Sequence, residues 1–600
     1  MHLTKKLTYL QAVLLPLRIA PIPTIIQLIS SFSGMLIAPI SILVIAYFID
    51  TALALHQYGF AHTYRIVPPL IAIAAFQMIS QVVDPFIGNL ANQRRYAKMT
   101  IALDGSVINK QARLEFKHLE HPDTMDLINR VCREPINQLN GVVHNLLRFT
   151  TNVVIIAGTS GILLINAPLA GILLIGLSVP VFWLAIKTGR AGYKAWKDMS
   201  KIERLCENIN RVLTGRATTA ERNLFGYSGP LTEKYLDNYE TSRKHQLRLN
   251  AKWYGRTRGM SVLVVMFSSA ALFMLIPAVG SGDLSVGLYI SLITALFALT
   301  TRISIIVPDC FVKFAREREF LRELNVFLEL SETPDADALP AASPQTFERL
   351  EFKNVSFAYP GMEKLVLDNI SFTIEKGKHY AFVGINGAGK TTIAKLITRL
   401  YDEYTGEILL NGKSLRDCPM AELKAVVCAV FQDFARYDIT AAQNVSLGKI
   451  NGASDEEIDR AIQLSGFDEK INELKDGKNT LLGKTHEGSV DLSGGQWQRL
   501  AFARAIISPA SVKILDEPTA ALDPIAESQV YAQFEEISRG TTTIFISHRL
   551  ASAKMADVIF VLDGGKVAEQ GSHEELMARR GIYAEMFESQ QSWYKSEVAL

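Results

Sequence analysis

Apolar and charged positions segregate along this chain. Apolar runs occupy roughly residues 21–54, 66–90, 142–165, 169–186, 260–279 and 286–307. Each approaches or exceeds the ~20 residues that an α-helix needs to cross a hydrocarbon core. The connections at 55–64, 166–168 and 280–285 are short and contain no Lys or Arg, whereas 91–141 and 187–258 are rich in both. Basic residues stay on the cytoplasmic side, so this asymmetry predicts six spans with both termini in the cytoplasm. Lys5 and Lys6 precede apolar residues with no small-residue cleavage site, and the start reads as a retained amphipathic lead-in.

The pattern changes after residue 330. Residues 331–348 are rich in Pro, Ala and Asp and read as a linker between a transmembrane domain (1–330) and a soluble domain (349–600). Leu350 to Phe357 alternate at strand period, and Tyr380-Ala381-Phe382-Val383 is a continuous apolar run of the kind found in buried parallel strands. After that run stands Gly384-Ile385-Asn386-Gly387-Ala388-Gly389-Lys390-Thr391-Thr392, followed by the helical pattern from Ile393. This is the phosphate-binding loop pattern between a strand and a helix. Its glycines let successive N–H groups turn inward on phosphate oxygens, and the helix adds its positive end. Lys390 is expected to reach the β- and γ-phosphates and Thr391 to bind Mg²⁺. An ordinary glycine-rich turn would not bring the partner motifs found downstream.

Val512-Lys513-Ile514-Leu515 reads as a second buried strand ending in Asp516-Glu517. Asp516 is placed to meet the metal and Glu517 to polarise a water. Lys513 is out of pattern in such a strand and is expected to carry its stem to an edge. Composition adds little: the net charge of +2 reveals no basic patch for nucleic acid, and five scattered cysteines form no C-x-x-C pair. They suggest free thiols on the reducing side of a membrane.

Leu492-Ser493-Gly494-Gly495-Gln496, ahead of Gln498-Arg499-Leu500-Ala501, resembles the signature motif of ATP-binding cassette (ABC) proteins. The other motifs of that family are present too. Tyr359 matches the adenine-stacking aromatic, Gln432 the glutamine loop that senses metal and water, and Asp523 the aspartate loop. His548 matches the switch histidine. Six spans ahead of one cassette resemble exporter-type (type IV) half-transporters. The resemblance implies a helical six-span transmembrane domain followed by an α/β P-loop ATPase cassette, with ATP and Mg²⁺ as cofactors. It implies Glu517, His548 and Gln432 as catalytic residues, and Thr391, Gln432 and Asp516 around the metal. Ser493 through Gln496 would bind the γ-phosphate of a second half-transporter, in a homodimer or a heterodimer. Thr485-His486-Glu487-Gly488 stands where exporters carry a further contact loop, although Glu487-Gly488-Ser489 departs from the usual Glu-Arg-Gly.

In the membrane half, 121–130 and 218–226 resemble the coupling helices of such exporters, with Asp123 or Thr124 suited to cap the first. Asp84 and Arg148 are ionisable residues within spans and are expected to pair, or to line a cavity with Gln77, Gln81 and Asn152. Pro180 and Pro308 are expected to kink their helices. Ser268, Ser269, Thr294, Thr300 and Thr301 suit close packing of the last two spans. The function expected is ATP-driven transport of a small molecule, lipid or peptide across a bacterial cytoplasmic membrane by alternating access, most naturally export. Import of a metal–siderophore complex by the same fold is the alternative.

Overall fold

The computed structural model describes residues 6–597, apart from 59–63, scattered positions in 167–185, all of 188–201, 217, 343–345, 451, 485, 518–539 and 548–549. The chain divides into two compact units, residues 1–112 with 126–330, and residues 113–125 with 331–600.

The first unit is helical. A short helix α1 (Tyr9–Ile19) leads into α2 (Pro21–Tyr58) and α3 (Val67–Arg113). The short helices α4 (Phe116–Glu120), which belongs to the second unit, and α5 (Pro122–Cys132) precede α6 (Pro135–Asn166). Then come α7 (Thr219–Phe225), α8 (Ser228–Gly280) and α9 (Val286–Glu329). Among the described residues, α2, α3, α6 and α9 are long and apolar enough to cross a membrane, matching the first, second, third and sixth expected spans. The fifth falls in α8, whose Ser268–Gly280 portion is apolar. Much of the fourth, together with the basic stretch after it, lies outside the described residues, so the kink expected at Pro180 is not assessed.

Two of the long helices contain a π-turn, Ile79–Val83 in α3 and Arg302–Ile306 in α9. Each stands just before a proline, Pro85 and Pro308. A proline has no N–H for the carbonyl four residues back and its ring crowds that carbonyl. Those carbonyls belong to Gln81 and Ser304, inside the two π-turns, where the wider turn absorbs the mismatch. The disturbance expected at Pro308 is therefore a π-turn.

Polar residues in this unit pair differently from expectation. Arg148 Nη1 donates to Asp309 Oδ2 at 2.7 Å, with Lys313 Nζ 3.3 Å from the same oxygen. Asp84 instead accepts from the Ser33 hydroxyl, and its carbonyl from Ser30 Oγ at 3.1 Å. Asn152 accepts from Arg302 Nη1 at 2.6 Å, while Gln77 and Gln81 stay exposed. Ser268 and Thr300 do meet, hydroxyl to hydroxyl at 3.3 Å, beside a cluster of Leu272, Leu275, Leu292, Leu296 and Leu299. Helix α5 begins with Pro122 itself, which has no N–H to leave unpaired, so Asp123 lies in the first turn and not at the cap. Helix α7 ends on Gly226 at φ 63° and exposes Leu224 and Phe225.

The cassette in the second unit holds two sheets. β1 (Arg349–Phe357), β2 (Leu367–Glu375), β4 (Thr405–Leu410) and β5 (Lys413–Ser414) form an antiparallel sheet in the order β2-β1-β4-β5. The larger sheet has the order β10-β9-β3-β8-β7-β6. Its strands are β3 (His379–Gly384), β6 (Val427–Val430), β7 (Val512–Asp516), β8 (Thr542–Ile546), β9 (Val558–Asp563) and β10 (Lys566–Gly571). Every pairing in it is parallel except β9 with β10. Between the sheets lies an aromatic core in which Phe352 stacks on Phe372 at 4.3 Å and Phe382 on Phe560 at 5.1 Å.

β7 lies inside the sheet, so Lys513 has no edge to reach and is 4% exposed. Its ammonium donates instead to the carbonyl of Ile506 at 3.3 Å, in the last turn of α11 (Gly494–Ile507). A helix C-terminus offers unpaired carbonyls and a negative dipole end, which suits a buried cation. Burial pushes the Lys513 pKa down.

Among the described glycines of the membrane unit, Gly287 approaches a neighbouring helix most closely, and its N–H donates to Asp50 Oδ1 at 2.7 Å. A Cβ there would stand 2.2 Å from the carbonyl oxygen of Ala46. Gly287→Val should therefore lower the melting temperature of the purified protein by several degrees, in keeping with the ~1–3 kcal/mol of overpacking. Gly280→Val, placed in open space, should leave it unchanged.

Candidate nucleotide site

The site forms where the parallel strands end. β3 and β7 flank β8, with Phe382 and Asp516 both paired to Ile546. The loop after β3 and the carboxylates after β7 therefore emerge side by side. Gly384 has φ +152°, and a Cβ on it would lie 2.2 Å from the Leu562 carbonyl oxygen, so only glycine fits. Gly389, at φ +100°, turns the loop into α10 (Lys390–Ile397) against Leu367. Asn386 and Gly387 are exposed at the loop's crest and Ala388 is buried beneath it.

Lys390 is 4% exposed and folds back over the loop, donating to the carbonyls of Gly384 at 2.8 Å and Ile385 at 3.1 Å. Burial lowers its pKa to about 8, against the opposing pull of Glu517 and Asp516. Asp516 is 2% exposed, and among the described residues neither carboxylate oxygen makes a hydrogen bond of good geometry. Burial raises its pKa to about 6, with nearby Thr391 favouring the charged form and Glu517 opposing it. A buried carboxylate with so little to bond it is expensive, and a divalent cation with oxygen ligands is what would satisfy it. Asp516 and the Thr391 hydroxyl fit Mg²⁺.

Glu517 sits at φ 50°, a left-handed conformation that a non-glycine residue holds at a cost of ~1–3 kcal/mol. Its N–H donates to the Ile546 carbonyl at 2.8 Å and its carbonyl accepts from Gln498 Nε2 at 3.2 Å. Its carboxylate accepts from Gln432 Nε2 at 2.7 Å. The structure thus brings the glutamine and the second carboxylate into direct contact. His548 and Asp523 lie outside the described residues, as does Thr485.

Tyr359 is half-buried and its hydroxyl shares a hydrogen bond of 2.9 Å with Thr392 Oγ1. Its ring meets Phe357 at 5.2 Å and Tyr401 at 5.4 Å, both edge-on. The Lys395 ammonium, one turn past Thr392 on α10, lies 5.2 Å from the Tyr359 ring centre and 5.2 Å from that of Phe116. Lys395 also pairs with Glu120 at 2.9 Å, and Glu120 accepts from the Tyr401 hydroxyl. Helix α4 is thereby fastened to the back of the aromatic loop. Residues 116–120, immediately before the expected lever at 121–130, make this contact. Sequence reasoning missed Lys395 and Gln498; for Lys395 the available signal was its position one turn beyond Thr391-Thr392.

Ser493 caps α11. Its hydroxyl accepts from the Gln496 N–H at 3.3 Å, and the Gln496 side chain accepts from the Ser493 N–H at 2.9 Å. The free donors at this helix start are the N–H groups of Gly494 and Gly495 and the Ser493 hydroxyl proton. Leu492 and Trp497 pack with Val445, Ile458 and Phe467, a cluster separate from the one holding Ile393 and Leu396 of α10.

Comparison with known proteins agrees with this geometry. The family model described as "ABC transporter" matches residues 367–520. The subtilin transport ATP-binding protein of Bacillus subtilis is 30% identical over 517 residues, which cover 86% of this chain and 83% of that protein. The ATP-dependent lipid A-core flippase of Pseudomonas aeruginosa is 31% identical over 525 residues, with the same coverage of each. The chain belongs to the ABC transporter family. Its fold is that of a bacterial Atm1-family ABC exporter solved with ATP bound, with a TM-score of 0.78 over 94% of this chain and 98% of the other at 23% identity. As a member of this family, the chain is a membrane transporter whose cassette binds ATP and couples its hydrolysis to transport.

The Asp516 geometry makes a two-sided prediction. A carboxyl whose pKa is raised from about 4 to about 6 costs stability that sets in as pH rises through that window and is full above it. Asp516→Asn should therefore raise the melting temperature of the nucleotide-free protein at pH 7.5, with the gain vanishing below about pH 4. The same variant should lose about 10²-fold or more of Mg²⁺-dependent ATPase activity. Wild-type activity at limiting Mg²⁺ should fall as pH drops through about 6, because a proton then competes for the carboxylate.

Proposed function

We propose that two copies of this chain, or one copy with a related half-transporter, close two cassettes on ATP and Mg²⁺ and export a small molecule, lipid or peptide by alternating access. The observation that carries this reading is the separation of the two anion-binding helix starts. The phosphate loop with Lys390 follows β3, while the start of α11 packs through Leu492 and Trp497 in a different cluster from Ile393 and Leu396 of α10; only further along does α11 lay Ala501, Phe502 and Ala505 on Ala381, Val383 and Leu515 of the central sheet. A γ-phosphate held by both kinds of donor needs the signature helix of a second chain. The exposed Leu224-Phe225 tip of α7 supports the same assembly, since an apolar tip on a cytoplasmic loop suits docking on a partner.

In this reading Tyr359 stacks on the adenine, and the loop Gly384–Thr392 holds the phosphates. Thr391, Asp516 and Gln432 hold Mg²⁺, which supplies charge neutralisation at the γ-phosphate. Glu517 then accepts a proton from the attacking water and Gln432 keeps that carboxylate aligned. His548 and Asp523 complete the site by their place in the motif order. Export is supported by the company the chain keeps: one relative is named for a flippase and the structural neighbour for an exporter. Import of a metal–siderophore complex receives no such support. In this reading it is a multi-pass protein of a bacterial cytoplasmic membrane with its cassette inside.

Glu517→Gln should retain ATP binding and lose turnover by about 10²-fold or more. Comparative profiling of cells and medium for the wild type and this variant tests direction. An exported compound accumulates inside the variant and disappears from its medium. A compound depleted inside and left in the medium would reverse the assignment.

A further inference from the structure

A cavity of ≈ 1040 Å³ lies within the helical unit, between α1, the start of α6 and the lower part of α9. This is at the upper end of the ~300–1,000 Å³ typical of ligand pockets. Its wall is aromatic. Phe149 meets Phe311 at 5.5 Å and Phe314 at 5.3 Å, and Tyr9 meets Phe314 at 6.2 Å, all edge-on. The side formed by the N-terminal arm is pinned: Leu7 and Asn325 exchange two hydrogen bonds, of 2.7 and 3.0 Å.

Three observations fix what such a cavity would take. First, α1 leaves Leu10 and Leu14 exposed while Ala12 and Leu15 are buried, so an apolar flank faces outward just before the first membrane-crossing helix. A short helix of this kind lies in the membrane interface. Second, Tyr9, Phe149, Phe311 and Phe314 gather where α1 meets α6 and α9 and give the cavity an apolar wall suited to an acyl chain. Third, Arg318 and Arg322 line the cavity one and two turns further along α9, ~6 and ~12 Å beyond Phe314. Arg322 pairs with Glu319, which also lines the cavity, whereas Arg318 is exposed and forms no ion pair among the described residues. An apolar, aromatic slot just past the cytoplasmic end of the sixth apolar run, beside an interfacial helix and with a guanidinium at its mouth, is complementary to an amphiphile with an acyl chain and a phosphate.

We infer that this cavity binds an anionic phospholipid of the cytoplasmic leaflet, its chain against Phe149, Phe311 and Phe314 and its phosphate on Arg318. The inference rests on the placement of the helices in a membrane and not on the direction of transport. The site is separate from the nucleotide site and needs no ATP.

The test uses the full-length protein in nanodiscs containing phosphatidylglycerol and phosphatidylcholine in equal amounts, with native mass spectrometry of the lipids that remain bound after release. The wild type should retain phosphatidylglycerol in preference. Arg318→Ala should reduce that retention about fivefold, and Arg318→Lys should restore most of it. Arg243→Ala, an arginine paired with Glu240 on α8, should change nothing. Phe314→Ala should weaken retention of both lipids while keeping the preference. Unchanged retention in Arg318→Ala would overturn the inference, and so would an equal loss of both lipids. A maleimide reagent supplies a measurement independent of lipid counting. An Arg318→Cys thiol should react faster in phosphatidylcholine-only discs than in phosphatidylglycerol discs, and a thiol unreactive in both would show the groove covered by protein.

Discussion

A carboxylate buried with little to bond it sets the terms for the cassette. Asp516 stands at the end of a strand enclosed by two parallel neighbours, with neither oxygen in a hydrogen bond of good geometry among the described residues and Lys390 drawn back onto the carbonyls of its own loop. Such an arrangement is costly in isolation and is relieved when a phosphate arrives to take the lysine and a cation to take the carboxylate. The neighbouring features follow from it. Gly384 and Gly389 are needed because the loop must pass within a Cβ's width of Leu562 and Leu367. Glu517 accepts a left-handed backbone because the residue after Asp516 must turn its carboxylate toward Gln432.

The membrane half handles polarity in the opposite way, by satisfying it locally. Arg95 is fully buried, yet it donates to Asn140 at 2.9 Å, to Asn92 at 2.8 Å and to Gln27, a cage of amides with no acid in it. Pro85 and Pro308, inside the long helices α3 and α9, are met by π-turns, so the carbonyls they would strand lie in a wider turn. Low-cost accommodation of this sort keeps the helices continuous, and continuity is what lets a long helix carry displacement from one end to the other. The tie between cassette and loop is compact as well. Lys395 stands between Glu120 and the Tyr359 ring, so the residue expected to stack on adenine and the loop helix α4 share one side chain.

How much of this was legible in the sequence depended on whether the chemistry is local. The phosphate loop could be read because its backbone demands glycine at fixed spacing, and the strand ending in Asp516-Glu517 because burial on both faces leaves an unbroken apolar run. The apolar runs likewise predicted α2, α3, α6 and α9. Pairings across helices could not be read, because an apolar run carries little information on which way each helix is turned. Arg148 was matched with Asp84 by depth alone, whereas its partner Asp309 lies just past the apolar run and so escaped notice. Lys513 was assigned to an edge because a charge in a buried strand usually needs one; the partner that holds it, the carbonyl end of α11, is created only by folding. The role of Lys395 is likewise created by folding, which brings Tyr401 and Glu120 beside it.

The central claim is that one chain holds the phosphates and another supplies the signature helix. Disulfide trapping tests it most directly. Asn386→Cys is placed on one tagged copy and Ser493→Cys on a differently tagged copy, both in the Glu517→Gln background, and the pair is oxidised with and without ATP and Mg²⁺. The account predicts a cross-link between the two tags that forms with nucleotide and not without it. Absence of that link with nucleotide present, or a link forming within a single chain carrying both cysteines, would contradict it.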